Sequence, residues 1–318
     1  MSVITAPPPG PPPGSPPGPP PGSPPGPSQG RSPSPVPAAA PTRASRPVRA
    51  ADKVLEIFDA IYDQIAFYVR ALVSLPKGLR YWSEILAQIS DITLGAGALI
   101  VGGGTFLVVA GITFFTGTLV GLEGYAGLHQ VGAQAFTGLI SSLANTREIT
   151  PIVAGQVLAA QVGAGFTAQL GSMRISEEID ALEVMGVDSF VYLVTTRVWS
   201  LLIAIVPLYL AALFASFYAT QVISTHFFHL SSGVYHHYFQ LFLPPIDVLD
   251  SLIKAMVFAV FVALVHTYYG YRARGGPAGV GVSAGRALRV SITGIVLINL
   301  LLSMIMFGGP SATARLVG

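Results

Sequence analysis

A cluster of carboxylates stands out in a chain that otherwise carries few charges. The sixteen residues from Met173 to Asp188, MRISEEIDALEVMGVD, include five acidic residues, whereas charged residues make up only 10% of the 318-residue chain. Paired carboxylates can perform acid–base catalysis when an apolar pocket raises the pKa of one of them. These acids lie in a polar stretch between apolar segments, with no such pocket evident. Catalysis is therefore the least favoured interpretation.

The same stretch has the pattern of a short amphipathic helix, predicted over residues 175–186. Ser176 can cap its N-terminus, and Gly186 suits its C-terminal end. Its apolar side consists of Ile175, Ile179, Leu182 and Met185, and its polar side of Glu177, Asp180 and Glu183. The caps and the apolar stripe favour a helix that docks into a soluble partner, although a plain solvated loop also accounts for the acids.

The composition indicates that most of the chain lies in a membrane. Hydrophobic residues make up 52% of the chain, and the mean hydropathy is +0.63. A net charge of +2 argues against a nucleic-acid partner, and the absence of cysteine excludes disulfides and thiolate chemistry. Stretches long enough to cross a membrane lie at 94–120, 149–171, 192–222, 252–270 and 287–308. We therefore predict an all-α polytopic membrane protein with about five spans.

Two further segments, 131–144 and 224–243, are too short or too mixed in character to cross. We predict that both are interfacial or re-entrant pieces. The second segment contains His226, His229, His236 and His237. Aromatic residues are interleaved with these histidines, so an interfacial aromatic helix explains the pattern better than a metal site does.

The N-terminal region is predicted to stay on one face of the membrane. Residues 1–50 consist largely of PPPG and SPPG units and should form a disordered Pro/Gly-rich tail. Over residues 52–75, apolar residues recur at helical spacing and predict an amphipathic helix in the membrane interface, with packing on a partner subunit as the alternative. The apolar stripe consists of Val54, Phe58, Ile61, Ile65, Val69 and Leu72.

The distribution of basic residues predicts the orientation. Lysine and arginine are concentrated before the first span and in the loops after the second and fourth spans. By the positive-inside rule, the N-terminus and the acidic stretch face the cytoplasm, and an odd number of spans leaves the C-terminus outside. The predicted location is the plasma membrane.

Small residues recur every four positions along the second span. The stripe consists of Gly155, Ala159, Gly163, Thr167 and Gly171. Small side chains let two helices approach closely where lipid removes the hydrophobic driving force between them. Packing within one subunit and a dimer seam both remain open. Near the ends of spans, Lys254 and His266 are interpreted as snorkelling or interfacial groups.

The segment GSMRISEEIDALEVMGVDSFVYLVTTR resembles the signature of the MlaE/YrbE permeases, the transmembrane subunits of ATP-binding-cassette (ABC) lipid transporters associated with MCE proteins. The resemblance implies an MlaE-like permease domain over residues 51–318. The segment HTYYGYRARGGPAGVG is similar to the B-type YrbE permeases of actinobacterial, including mycobacterial, Mce systems. In this family the acidic helix is the coupling helix that inserts into the ATPase. Matching positions are Glu178, Asp180, Ala181, Leu182, Met185 and Gly186, and the neighbouring acids Glu177 and Glu183 complete the candidate contact.

The segment NTREITP resembles a second motif of the family, R-E-x-x-P, and implicates Arg147 and Glu148 in the lipid path. A mutual ion pair between these two residues is the alternative. The resemblance implies four partners: a second, related permease in a heterodimer, a cytoplasmic ABC ATPase dimer, MCE proteins on the outer side, and a lipid such as a fatty acid, a mycolic acid or a sterol. Ser189 and Thr196 stand where many members have proline, so the exit from the coupling helix is expected to differ in geometry.

The sequence contains no nucleotide-binding motif. Its three lysines, Lys53, Lys77 and Lys254, do not follow a glycine, so the G-x-x-x-x-G-K-[ST] phosphate loop is absent. We therefore predict a non-enzymatic subunit that binds no cofactor itself, with ATP and Mg²⁺ on the partner ATPase. A membrane scaffold that anchors an MCE assembly and its ATPase without transporting is the alternative. A secondary transporter is disfavoured because no acidic residue lies deep in a predicted span.

Overall fold

A computed structural model describes the backbone of residues 46–93 and 104–308, with side chains from Phe58 onward in the same ranges. The predictions for residues 1–45 and for the start of the first span, 94–103, lie outside these ranges. The described residues from Lys53 onward form one compact unit. Within the described residues every regular element is helical, and five helices are long and apolar enough to cross a membrane. The prediction of an all-α polytopic membrane protein is confirmed.

The helices follow one another with short connections. Their bounds are α1 Arg46–Gly78, α2 Trp82–Thr93, α3 Gly104–Gln130, α4 Gln134–Ile175, α5 Glu178–Val184, α6 Val191–Phe227, α7 Ser232–Leu241, α8 Pro245–Tyr271 and α9 Gly276–Phe307. The candidate spans are α3, α4, α6, α8 and α9. About half of the residues in the most apolar parts of α4, α6 and α8 are buried, compared with 22% in α3 and 17% in α9, so α4, α6 and α8 form the centre of the bundle.

Helix α4 is longer than its hydropathy predicts. The segment 131–144 was expected to be a separate interfacial or re-entrant piece, but from Gln134 onward it is the first part of α4. The polar residues that interrupt the hydropathy here are buried: Asn145 Nδ2 donates to Thr220 Oγ1 of α6 at 3.0 Å. Because a neighbouring helix satisfies these polar groups, the helix continues through them without exposing them to lipid.

The segment 224–243 divides between two helices. Helix α6 extends to Phe227, the chain reverses at His229 with φ +56°, and α7 then covers Ser232–Leu241. Tyr235 of α7 is buried, and its hydroxyl donates to Ser141 Oγ of α4 at 2.9 Å. Helix α7 is therefore packed across the end of the bundle at which α6 finishes.

The N-terminal helices α2 and α3 both run alongside α6. Tyr192, at the start of α6, bonds to Glu84 of α2, and Ser200, two turns later, bonds to Gln88. Further along, Gly117 of α3 lies against Ser216 of α6, and Gly121, one turn later, lies against Ile223. Helices α2 and α3 therefore run in the same direction as α6, with α2 against its first part and α3 against its last part.

Helix α1 lies across the end of the bundle that carries α5. Phe67 is buried and packs edge-to-face on Phe190 and on Tyr268 of α8. Asp63 accepts a hydrogen bond from Arg272, just after α8, at 2.8 Å, and this bond raises the pKa of the Arg272 guanidinium. The predicted amphipathic segment 52–75 lies within α1, and residues of its apolar stripe that the structure describes are exposed: Phe58, Ile61, Ile65, Val69 and Leu72.

Candidate functional site

The acidic segment forms a helix that is shorter than predicted. Helix α5 covers Glu178–Val184, and Glu177 precedes it in the left-handed region with φ +60° and no side-chain cap. The expectation that Ser176 caps this helix is wrong, because its hydroxyl donates to Glu178 Oε1 at 2.7 Å and to the Ser172 carbonyl of the preceding helix. Gly186 has φ +79° just after the helix, as suits its C-terminal end.

One apolar residue of α5 is buried in the bundle, whereas the apolar residues at the end of the helix are exposed. Ile179 is fully buried and packs with Leu170 of α4 and Leu193 of α6. In contrast, Val184 is 90% exposed and Met185 is 69% exposed. Large apolar side chains with this exposure at the end of a connecting helix indicate a surface that another protein covers.

Four acids at α5 are exposed: Glu177 just before the helix, and Glu178, Asp180 and Glu183 within it. Asp180 accepts a hydrogen bond from Arg174 at 2.8 Å, and both side chains are exposed. Glu183 accepts one from Ser189 at 2.6 Å. Exposed ion pairs contribute little to stability, so these acids are available to a partner's basic groups.

Ser189 connects α5 to the bundle, at the position where the resemblance in sequence leads us to expect proline. Its buried hydroxyl contacts the Tyr271 hydroxyl at the end of α8 at 3.0 Å, in addition to Glu183. Next to it, Asp188 Oδ1 accepts the Val191 amide at 3.1 Å and caps α6. A side-chain network thus holds this exit from α5 without the rigid ring of proline.

Arg147 and Glu148 are adjacent in α4 but have different partners, so the hypothesis of a mutual ion pair is wrong. Arg147 Nε donates to Asp247 Oδ2 at 2.7 Å, and its Nη2 lies 2.5 Å from the same oxygen. Asp247 lies in the first turn of α8, and its side chain is only 2% exposed. This pair therefore joins α4 to α8.

Glu148 accepts hydrogen bonds from α9 and contacts a lysine of α8. Ser303 Oγ donates at 2.6 Å and Asn299 Nδ2 at 2.7 Å, while Lys254 Nζ lies 3.4 Å away. Lys254 also donates to the Arg147 carbonyl at 2.6 Å and to Ser303 at 2.8 Å. The four side chains of Arg147, Glu148, Asp247 and Lys254 carry formal charges that cancel.

The interpretation of Lys254 as a snorkelling or interfacial group is wrong. Its side chain is fully buried, whereas that of Glu148 is 40% exposed. A buried ammonium needs acceptors, and Lys254 finds them on α4 and α9 rather than at the membrane surface. The sequence did not indicate these partners because they are distant in the chain: Arg147 is 107 positions and Ser303 is 49 positions from Lys254. The available signal was a lone lysine within an apolar stretch.

The small-residue stripe of α4 faces α8 of the same chain. Gly155 lies against Phe258, and Gly163 against the ring of His266. Thr167 Oγ1 lies 2.8 Å from His266 Nδ1. The interpretation of His266 as a snorkelling or interfacial group is therefore wrong: it is fully buried at the contact between α4 and α8.

The remaining members of the stripe are also enclosed within the chain. Ala159 is fully buried in the main core, and Gly171 lies against Val280 of α9. A stripe of small residues thus allows close contact of α4 with α8 and α9.

Known proteins resemble this chain over most of its length. The family model "Permease MlaE" matches residues 95–305. A protein of Rickettsia bellii named "Probable ABC transporter permease protein" is 30% identical over 241 residues, which are 76% of this chain and 90% of that protein. The "Intermembrane phospholipid transport system permease protein MlaE" of Haemophilus influenzae is 26% identical over 80% of this chain and 95% of its own length.

A third relative comes from a plant. The chloroplastic protein TRIGALACTOSYLDIACYLGLYCEROL 1 of Arabidopsis thaliana is 29% identical over 64% of this chain and 60% of its own length. The family model spans both the α5 segment and the Arg147–Glu148 pair, and it includes all five candidate membrane-spanning helices almost completely. The chain is thus a multi-pass membrane protein that belongs to the MlaE permease family.

Proposed function

We propose that this chain is the transmembrane permease subunit of an ABC lipid transporter, and that α5 is the coupling helix that contacts a cytoplasmic ATPase dimer. One observation carries the proposal: in a chain of the MlaE permease family, α5 and the residues on either side of it (177–185) are anchored by buried Ile179 yet expose four acids and two large apolar residues. ATP and Mg²⁺ would bind to the ATPase. This chain would bind no cofactor.

The attachment of α5 provides a route for mechanical coupling. Ile179 packs on α4 and α6, and Ser189 contacts Tyr271 at the end of α8. A displacement of α5 by closing ATPases would therefore act on the three central spans together. Because packed helices tend to move as rigid bodies, the displacement would reshape a lipid cavity formed with a second permease.

The pair Arg147 and Glu148 is proposed to lie in the lipid path. Glu148 is the more exposed of the two, and Asn299, Ser303 and Lys254 hold its carboxylate in place. Arg147 is mostly enclosed by Asp247 and by the Phe307 ring, whose centroid lies 4.8 Å from the guanidinium carbon. Glu148 would therefore meet polar parts of the lipid, and Arg147 would support the helix that carries it.

Further parts of the proposal follow the resemblance of the sequence motifs. The chain would be a B-type YrbE permease of an actinobacterial Mce system, in the plasma membrane, paired with an A-type permease and meeting MCE proteins outside. The end with α1 and α5 would face the cytoplasm, with the C-terminus outside. The cargo would be an imported fatty acid, mycolic acid or sterol. A scaffold without transport activity remains the competing function.

Charge reversal on α5 tests the coupling role. We expect Glu178→Lys/Asp180→Lys to lower ATP-dependent lipid transport by the reconstituted complex at least tenfold, because like charges facing the partner's basic groups cost several kcal/mol. The matched control is Glu123→Lys, which should retain transport. Glu123 is an exposed acid near the end of α3 and therefore lies at the opposite end of the bundle. If the double variant transports lipid normally and copurifies with the normal amount of ATPase, α5 is not the coupling helix. A wild-type complex that contains the ATPase but moves no lipid would favour the scaffold.

Glu148→Gln tests the lipid path. The amide retains the size of the side chain and can still accept from Asn299 or Ser303, so we expect the fold to persist. Transport should fall about tenfold, a change of ~1.4 kcal/mol in the barrier. Crosslinking of a photoreactive fatty acid to α4 should fall in parallel, whereas Glu123→Gln should change neither quantity. Equal crosslinking and transport in Glu148→Gln would place the lipid elsewhere.

A further inference from the structure

A cleft of about 360 Å³ lies between the end of α1 and the start of α6, beside the exit from α5. Its walls are formed by Pro76, Lys77, Arg80, Tyr81, Asp188 and Val191. Lys77 lies in the last turn of α1, Arg80 in the turn between α1 and α2, and Asp188 in the connection between α5 and α6. Neither the coupling contact nor the lipid path uses this cleft.

The cleft carries a positive charge that the described part of the chain does not neutralise. Lys77 and Arg80 are exposed and have no hydrogen bond or ion pair with any described residue. Asp188 is already engaged, since its carboxylate caps α6 through the Val191 amide. Two cations and one carboxylate give a formal charge of +1, which is complementary to a group with a net charge of −1.

The surroundings of the two cations are those of a membrane surface. Leu79 between them is 45% exposed, and Trp82 just beyond is 48% exposed. The exposed apolar stripe of α1 leads to the same point. Tryptophan beside basic residues, at the end of spanning helices, is typical of the level at which lipid headgroups meet hydrocarbon. A soluble anion would require no such apolar rim.

We propose that this cleft binds the headgroup of an anionic phospholipid. Lys77 and Arg80 would hold the phosphodiester, and the acyl chains would run along Leu79 and Trp82. The site lies at the end of the bundle opposite Glu148, so its lipid is a bound component and not the transported cargo. Because Asp188 caps α6 directly after α5, an occupied cleft would brace the connection through which α5 acts on α6. The binding site itself does not depend on the transport proposal.

Quenching of Trp82 fluorescence by brominated lipids measures the preference of the site. The chain has two tryptophans, so Trp199→Phe leaves Trp82 as the only one. This full-length variant would be reconstituted in phosphatidylcholine vesicles with increasing fractions of brominated phosphatidylglycerol or brominated phosphatidylcholine. We expect half-maximal quenching at a fraction at least about fivefold lower for the anionic lipid, since each basic side chain near an anionic surface contributes about that factor.

Matched variants separate a built site from general surface charge. Lys77→Gln/Arg80→Gln should abolish the preference for the anionic lipid, and Lys77→Arg/Arg80→Lys should keep it. Arg274→Gln/Arg286→Gln also removes two positive charges, from exposed arginines near the start of α9 at the same end of the bundle. This variant should keep the preference for the anionic lipid. The proposal is overturned by equal quenching with both lipids, by a preference that survives Lys77→Gln/Arg80→Gln, or by inorganic phosphate at millimolar concentration displacing the lipid. If the reconstituted complex transports no lipid but Trp82 still shows the preference for the anionic lipid, the result supports this binding site and contradicts only the proposed transport function.

Discussion

Asp247→Ala is expected to destabilise the folded chain by about 3–5 kcal/mol, because it leaves the Arg147 guanidinium buried without its counter-ion. The side chains of Arg147 and Asp247 are only 13% and 2% exposed, so water cannot replace the lost carboxylate. The loss should appear as a fall of about 10 °C in the temperature at which the purified chain in mild detergent loses its monodisperse form.

Removal of the whole pair distinguishes a charge effect from a packing effect. The double variant Arg147→Met/Asp247→Leu has no buried charge at this position and should recover most of the lost stability. Glu123→Ala, which removes an exposed acid, should leave the unfolding temperature unchanged. If Asp247→Ala melts like the wild type, the pair does not hold α4 to α8.

Gly163→Ala is the second change with a large expected effect. A methyl group at this position would lie 2.5 Å from Cδ2 and 2.7 Å from Nε2 of the His266 ring, closer than non-bonded atoms approach. The ring is fully buried and held by Thr167, so α4 and α8 would have to separate. We expect a loss of about 2–3 kcal/mol in stability, as for other overpacked cores.

Gly165→Ala is the matched control for this experiment. Gly165 lies in the same helix two residues later, and a methyl group there would meet nothing within 4 Å. Because alanine has the higher helix propensity, this variant should be as stable as the wild type or more stable by up to ~1 kcal/mol. Thermal unfolding of the two variants, measured side by side, checks the prediction. Equal losses in both would indicate that glycine is needed for the helix itself and not for its contact with α8.

The sequence alone was sufficient to predict the class of protein and to identify the short acidic helix. Hydropathy depends on composition within one stretch of chain, so it identified five apolar helices and their order. The short acidic helix and the glycine at its end are also local features. Helical periodicity predicted the helix, and Gly186 just after it has the positive φ, +79°, that glycine readily adopts. Motif resemblance identified the MlaE permease family, which the family match over residues 95–305 supports.

Only the tertiary structure decided which polar and charged groups meet. Arg147 pairs with Asp247 and not with its neighbour Glu148, and Lys254 is buried between α4 and α9. The physical reason is the same for these groups and for the continuation of α4 through buried Asn145. In a membrane helix a polar side chain is stable only if another helix supplies its partner. That partner is set by the arrangement of the helices in space, which no local sequence pattern contains.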